Sequence, residues 1–171
     1  MNAAKFRDLN QVFISLGSNI SPEKNLPKAV KLLNNQLRVV TTSSAWESPP
    51  FSGKGPNYIN AVAHVYSDLT FLELKRQVLR TIEAELGRVR SPDPDSPREI
   101  DLDIVIFNDN VLDANIWDRP YLAVPLAQLI PDYTQPVTCK TLAEIAESFL
   151  NCTPIFPRED VLGFSHFYPS I

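Results

Sequence analysis

Between Pro97 and Ile106 the chain falls into strand rhythm, Arg98 and Glu99 leading into Ile100-Asp101-Leu102-Asp103-Ile104. A period of two places Ile100, Leu102, Ile104 and Ile106 on a core face and Asp101 and Asp103 together on the other. Same-face neighbours on a strand lie roughly 6.6 Å apart, and carboxylates at that spacing can reach inward to a pair of divalent cations about 3.5–4 Å apart. The plainer use of such a pattern is to solvate the outer face of a half-buried strand. Against it, aspartate is a poor strand former, so two in mid-strand suggest a compensating role. Arg88, Arg90 and Arg98 also stand close in sequence, and metal-binding acids beside guanidiniums are how phosphoryl transfer is usually assembled.

The elements upstream predict what this strand pairs with. Val12 to Leu16 reads as a first strand ending in the turn Gly17-Ser18-Asn19. Ser21 and Pro22 are an N-cap and a first-turn proline, after which Leu26, Val30, Leu33 and Leu37 recur at helical steps. A second strand is expected from about Val39 to Trp46, stopped by Pro49-Pro50, and a third from Tyr58 to Tyr66. The loop between them, Glu47 to Asn57, is long for a small domain and so a candidate for function. Thr70 and Glu73 form a capping box for a second helix with the stripe Phe71, Leu74, Val78, Ile82 and Leu86, which Gly87 ends. The fold class expected is therefore α+β: a ferredoxin-like βαββαβ sandwich, helices on an antiparallel sheet. Asn108-Asp109-Asn110 is a turn signal, Tyr121 to Ile130 an apolar stretch containing a proline, and Thr141 to Leu150 a final short helix, a C-terminal helical extension. The tail from Thr153 has no periodicity; it either wraps the core or meets another subunit.

A chain of 171 residues fits one domain over 1–171, with a core of about 11–150 and a tail of 153–171. A net charge of −4, without a run of basic residues, argues against a nucleic-acid or membrane surface. Cys139 and Cys152 lack metal-ligand spacing, and a core of this size needs no staple, so reduced thiols and a cytoplasmic location are expected. The start, Met1-Asn2-Ala3-Ala4-Lys5, leads into a polar segment rather than a signal-peptide hydrophobic region.

Several ordered motifs together resemble the 6-hydroxymethyl-7,8-dihydropterin pyrophosphokinase family of folate biosynthesis. They are Ile14-Ser15-Leu16-Gly17-Ser18-Asn19, Glu47-Ser48-Pro49-Pro50-Phe51 with Asn57-Tyr58-Ile59-Asn60-Ala61, Glu83 with Gly87-Arg88-Val89-Arg90, and Pro97 to Asp103. The resemblance runs from Phe13 to about Asp132. It implies an ATP- and magnesium-dependent diphosphokinase that moves the β,γ-diphosphate of ATP onto the pterin hydroxymethyl group and releases AMP. The implied pterin contacts are Ser48 and Phe51 through the loop backbone, Asn60 on the amide-like face, and Tyr58 and Tyr121 sandwiching the ring. Such a pocket suits a flat heterocycle with polar edges. Asp101 and Asp103 are implied ligands of two Mg2+ ions. Arg88 and Arg98 are implied to neutralise the phosphates, Arg119 to be a further phosphate-side arginine and Glu83 to orient its neighbours on the nucleotide side. The loop from Arg88 to Pro97 is implied to be a lid.

Two departures stand out. The family's Val-Pro-His-Pro segment is shortened, Asn115-Ile116-Trp117-Asp118 leading straight to Arg119-Pro120-Tyr121, and the two histidines, His64 and His166, lie elsewhere. The lid also has Asp93, Asp95 and Ser96 in place of a frequent tryptophan. A divergent pterin-binding relative with an altered nucleotide donor or substrate is thus the alternative, and an RNA-binding platform, which shares the fold, a third reading. The acidic balance and the lack of a ribonucleoprotein motif oppose the last. The partners expected are small-molecule pterin and ATP, with the chain a monomer or weak homo-oligomer.

Overall fold

The computed structural model describes residues 9–50, 53–89, 91 and 96–163. Seven strands form one antiparallel sheet in the order β6-β5-β1-β4-β3-β7, with β2 also on β4. They are β1 (Asn10–Ser18), β2 (Arg38–Thr42), β3 (Trp46–Ser48), β4 (Tyr58–Ser67), β5 (Asp101–Phe107), β6 (Asn110–Val111) and β7 (Phe156–Pro157). Helix α1 is Pro22–Gln36. Helix α2 is continuous through Phe71–Glu73, a π segment Leu74–Leu79 and Arg80–Glu85. Helices α3 (Pro120–Leu129) and α4 (Leu142–Cys152) follow. The βαββαβ core is present as expected, but the strand after α1 comes in two pieces.

That break has a local cause. A register shift falls between Val39 and Thr41, and beyond Thr42 the Ser43 hydroxyl oxygen accepts the Val62 N–H at 2.9 Å. A side chain thus takes the place of the ladder carbonyl while the Ser43 N–H still donates to the Val62 carbonyl at 2.8 Å, and the regular ladder resumes at Trp46.

Each face of the sheet buries a separate core. On one, Leu26, Ala29 and Leu33 of α1 and Leu74, Val78 and Ile82 of α2 pack on Ile14, Leu16, Leu102 and Ile104. On the other, Leu122 and Leu126 of α3 and Leu142 and Ile145 of α4 pack on Phe13, Val62 and Val105. Ile106 belongs to this second core, not the first. Between the pairs Phe13↔Ile106 and Ile14↔Ile104, β5 carries one extra residue, Val105, and the bulge inverts the side-chain alternation beyond it. Phe107 replaces Ile106 on the α1/α2 side.

Helix α3 was not legible as a helix, because its residues are apolar all round. It lies between the sheet and α4, and a helix enclosed in this way shows little amphipathic period. Ser21 stands at the α1 N-cap, but it is left-handed (φ 45°) and its side chain makes no capping bond. The expected capping box of Thr70 and Glu73 is made, and Thr141 with Glu144 forms a second. Asn108 and Asp109, both with positive φ, form the two-residue turn of the β5–β6 hairpin.

Up to Gly163 the tail wraps the core. Strand β7 pairs with β3, and Ile155 and Val161 are buried. Its aromatic end, 164–171, and His166 lie outside the described residues. Cys139 and Cys152 are free and exposed. Among the described residues no helix is long and apolar enough to cross a membrane.

Candidate active site

The α3/α4 layer covers only part of its face of the sheet, and the uncovered end of β1, β4 and β5 forms the floor of a cleft. Gly17 on β1 is flanked by Asp101 on β5 and Asn60 on β4, and Ser15 stands opposite Asp103. The two carboxylates therefore share the face that strand periodicity assigns them. Around them lie two cavities, of about 290 Å³ and about 210 Å³. Arg98, Asp101 and Asp103 line both.

The larger cavity gathers Ser48, Tyr58, Asn60 and Tyr121, four of the five residues expected around a heterocycle. Phe51, the fifth, lies outside the described residues. Asn60 and Ser48 are almost fully buried, and the Asn60 amide donates to Ser48 Oγ at 3.4 Å. The absence of a side chain at Gly17 makes room for this pair, since a Cβ there would stand 2.9 Å from Asn60 Oδ1. Burial pushes the Tyr121 phenol above its usual range, keeping it neutral.

The smaller cavity is the charged one. Lys75, Arg80, Arg88 and Arg98 face Glu83, Asp101 and Asp103 across it. Arg88 Nη1 donates to both Glu83 and Asp101, and Arg98 Nη1 donates to the other oxygen of Asp101. Glu83, buried at 4 % exposure, also accepts the Leu102 N–H at 3.0 Å. It thereby ties α2 to β5 and orients Arg88. Lys75 Nζ lies 3.6 Å from Asp103. Lost hydration in the cleft, and then the neighbouring Asp101 carboxylate, raise the Asp103 carboxyl above the usual range, against the pull of Lys75 and Arg88.

Lys75 and Arg80 are the residues sequence reasoning missed on this side, because the motif marks only Glu83 on this helix. Five residues apart on an α-helix means about 140° apart. Here the Arg80 N–H bonds the Lys75 carbonyl, an i→i+5 step, and both side chains line one cavity. On the other side Lys54 and Asp113 were missed, Lys54 from a loop and Asp113 from the cap of the turn Ala114–Trp117. Neither had a distinguishing local pattern.

The turn after β1 explains the first motif. Ser18 Oγ donates to the Glu99 carbonyl at 2.6 Å, and Asn19 Oδ1 accepts the Arg98 N–H at 2.7 Å. The Asn19 and Ile20 N–H groups both donate to the Arg98 carbonyl at 3.1 Å. Gly17-Ser18-Asn19 thus buckles the approach to β5, fixing Arg98 beside the acids. Arg119, by contrast, stands at the α3 N-cap and is not among the described residues lining either cavity. His64 is remote, stacked on Phe13 at 4.7 Å. Arg90, Asp93 and Asp95 of the expected lid lie outside the described residues.

The profile of the 7,8-dihydro-6-hydroxymethylpterin-pyrophosphokinase (HPPK) family matches residues 13–131, well over half of the chain. The chain belongs to this family. The 2-amino-4-hydroxy-6-hydroxymethyldihydropteridine pyrophosphokinase of Synechocystis sp. is 32% identical over 155 residues, 84% of this chain and 78% of that one. That of Haemophilus influenzae is 31% identical over 149 residues, 80% of this chain and 91% of that one. Among solved structures, a Plasmodium falciparum HPPK-DHPS variant aligns with a TM-score of 0.68 at 14% identity, covering 84% of this chain and 46% of that one. The wild-type form gives 0.67 at 13% identity, covering 84% and 41%. At that identity the likeness concerns the fold: an antiparallel open sheet with helices. The chain spans less than half of these structural relatives.

Proposed function

We propose that this HPPK-family chain carries out the family's reaction in the described cleft. The diphosphate of ATP is transferred to the hydroxymethyl group of 6-hydroxymethyl-7,8-dihydropterin, with release of AMP, in folate biosynthesis. The observation that carries the reading is the placement of Asp101 and Asp103 on the wall common to a cavity with aromatic and amide groups and a cavity with cationic groups. In this reading the pterin occupies the larger cavity, against Tyr58, Tyr121, Asn60 and Ser48, with Phe51 as a further loop contact. The triphosphate lies along the smaller one.

The donor set suits magnesium. Among the described residues no group of three or more His, Cys, Asp or Glu side chains forms a closed metal site. Two carboxylates at an open cleft match a cation that keeps waters and takes phosphate oxygens. Charge argues the same way, because four cationic and three carboxylate side chains leave one net positive charge against the roughly four negative charges of ATP. Two magnesium ions held by Asp101 and Asp103 would supply the missing positive charge along the triphosphate.

The protein's remaining work is positioning. Tyr58 and Tyr121 hold the ring so that its hydroxymethyl oxygen faces the β-phosphorus in line with the bond to the α-phosphate oxygen. A bond forms from the hydroxymethyl oxygen to that phosphorus as its bond to the α,β-bridging oxygen breaks; that oxygen leaves on AMP and the hydroxyl proton passes to solvent. Arg88, held by Glu83, and Arg98, held by the β1 turn, meet charge on the transferring group. Arg119 is a phosphate-side residue in this reading. The alcohol needs little base strength, so no side chain is assigned as a strong base. We read the chain as a cytoplasmic monomer or weak homo-oligomer.

The test is product analysis with ATP and the pterin. AMP is expected in proportion to pterin pyrophosphate, and Asp101→Asn abolishes it while pterin binding by calorimetry persists. Steady formation of ADP overturns the assigned reaction. Tight pterin binding without nucleotide binding favours the divergent relative instead.

A further inference from the structure

The segment after α4 lies beyond residues 13–131, the part matched to the family, and one of its side chains reaches back to Glu47, the residue before Ser48 of the larger cavity. Arg158 follows β7, and its backbone N–H donates to the Ala45 carbonyl at 2.8 Å, continuing the contact with β3. Its Nη1 donates to Glu47 Oε2 at 2.6 Å and its Nη2 to Glu23 of α1 at 3.1 Å. Asp160 takes Nε and Nη2 at 2.9 Å each, which fixes the guanidinium plane.

What Glu47 does with its other oxygen gives this cluster a link to function. Glu47 Oε1 accepts from the Asn57 side chain at 2.9 Å. Glu47 and Asn57 immediately precede Ser48 and Tyr58, which pair across the β3–β4 ladder and line the cavity. Between them the chain carries Pro49, Pro50 and Lys54, which also line it. One carboxylate therefore closes the base of the loop, and Arg158 holds that carboxylate. An isolated exposed ion pair would contribute little. This guanidinium instead meets three carboxylates from three segments, and its side chain is 26% exposed.

We propose that Arg158 is a positioning residue for the heterocycle cavity, acting through Glu47 and Asn57 to hold Ser48 and Tyr58 in place. The inference rests on the assignment of the larger cavity to the pterin. It predicts a loss confined to that substrate.

The experiment measures KM and kcat for both substrates, and the calorimetric pterin Kd, in the full chain and its variants. Arg158→Gln is expected to raise pterin KM and Kd about five- to tenfold, leaving kcat and nucleotide KM within about twofold. Arg158→Lys restores part of the loss, because a point charge can meet one carboxylate but not three. Glu47→Gln gives a similar rise, and combining it with Arg158→Gln adds nothing further, as groups acting through one link do not add. Pterin affinity unchanged in a folded Arg158→Gln, an equal rise in nucleotide KM, or additive effects of the two substitutions overturns the proposal. Should Arg158→Gln not fold, Asn57→Ala carries the test, since it cuts only the link to the loop. The same pterin-selective rise is then expected, and unchanged pterin affinity overturns it. Failure of the unaltered chain to release AMP would instead strike the assigned reaction, so the two failures are distinguishable.

Discussion

Gly17→Ala adds one methyl group at the floor of the cleft, and its consequence can be worked from the structure. The new Cβ would stand 2.9 Å from Asn60 Oδ1, whereas ordinary contact begins at 3.4 Å, so the amide must retreat by about 0.5 Å. Gly17 lies in β1 and has no positive φ, so alanine brings no backbone strain. The clashing atom ends a side chain, and its movement should cost about 1 kcal/mol or less of stability. Recognition suffers more. Asn60 is buried beside Ser48, and an amide displaced by that distance loses alignment with a bound heterocycle edge. One compromised hydrogen bond, worth about 1–1.5 kcal/mol, corresponds to roughly a tenfold weaker pterin Kd. Calorimetry with the pterin, thermal melts and nucleotide KM together form the assay. A selective tenfold loss with Tm nearly unchanged is expected, and the same methyl group in an Asn60→Ala background should cause no further loss. Unchanged pterin affinity, or an equal penalty in the double variant, would refute the steric argument.

Three further outcomes follow from the same geometry. Lys75→Met removes the ammonium from beside Asp103 in a half-exposed pair, so stability should change by less than about 1 kcal/mol while nucleotide KM rises about three- to tenfold; an unchanged nucleotide KM would show Lys75 to be a bystander. Glu83→Leu takes the acceptor from the Leu102 N–H and a buried carboxylate from Arg88, costing about 3 kcal/mol by urea unfolding; a loss below about 1 kcal/mol would contradict its role as the tie between α2 and β5. The Asn57 hydrogen bond, then Arg158, hold the Glu47 carboxyl below its ordinary 4.5. A depressed folded pKa adds stability above the unfolded value, lost as pH falls through the folded one, so the urea midpoint should drop below about pH 4.5. Glu47→Gln should flatten that drop, and an identical slope in the variant would rule Glu47 out as its source.

Local pattern carried the sequence reading where the structure obeys local rules. The capping box at Thr70, the turn at Asn108 and Asp109, and the shared face of Asp101 and Asp103 are each set by residues a few positions apart. Ile106 went to the wrong face because the Val105 bulge exists only in the pairing of β5 with β1, whose residues are about ninety positions away. Lys75 and Arg80 escaped because the motif marks only Glu83 on α2, and which helix side chains reach the acids depends on how α2 docks on β5. Helix α3 escaped because burial on all sides erases the amphipathic signal.

By itself, then, the sequence determined the βαββαβ order of the core, the pairing of the two acids on one pleat and the motifs that mark the family. Strand and helix periods are properties of adjacent residues, and they survive into any tertiary context that lets the element form. Only the folded chain decided that Arg88 and Arg98 grip opposite oxygens of Asp101, that Gly17 clears space for Asn60, and that Arg158 reaches Glu47 across 111 positions. Those contacts depend on register, crossover and closure of long loops, which no local window encodes.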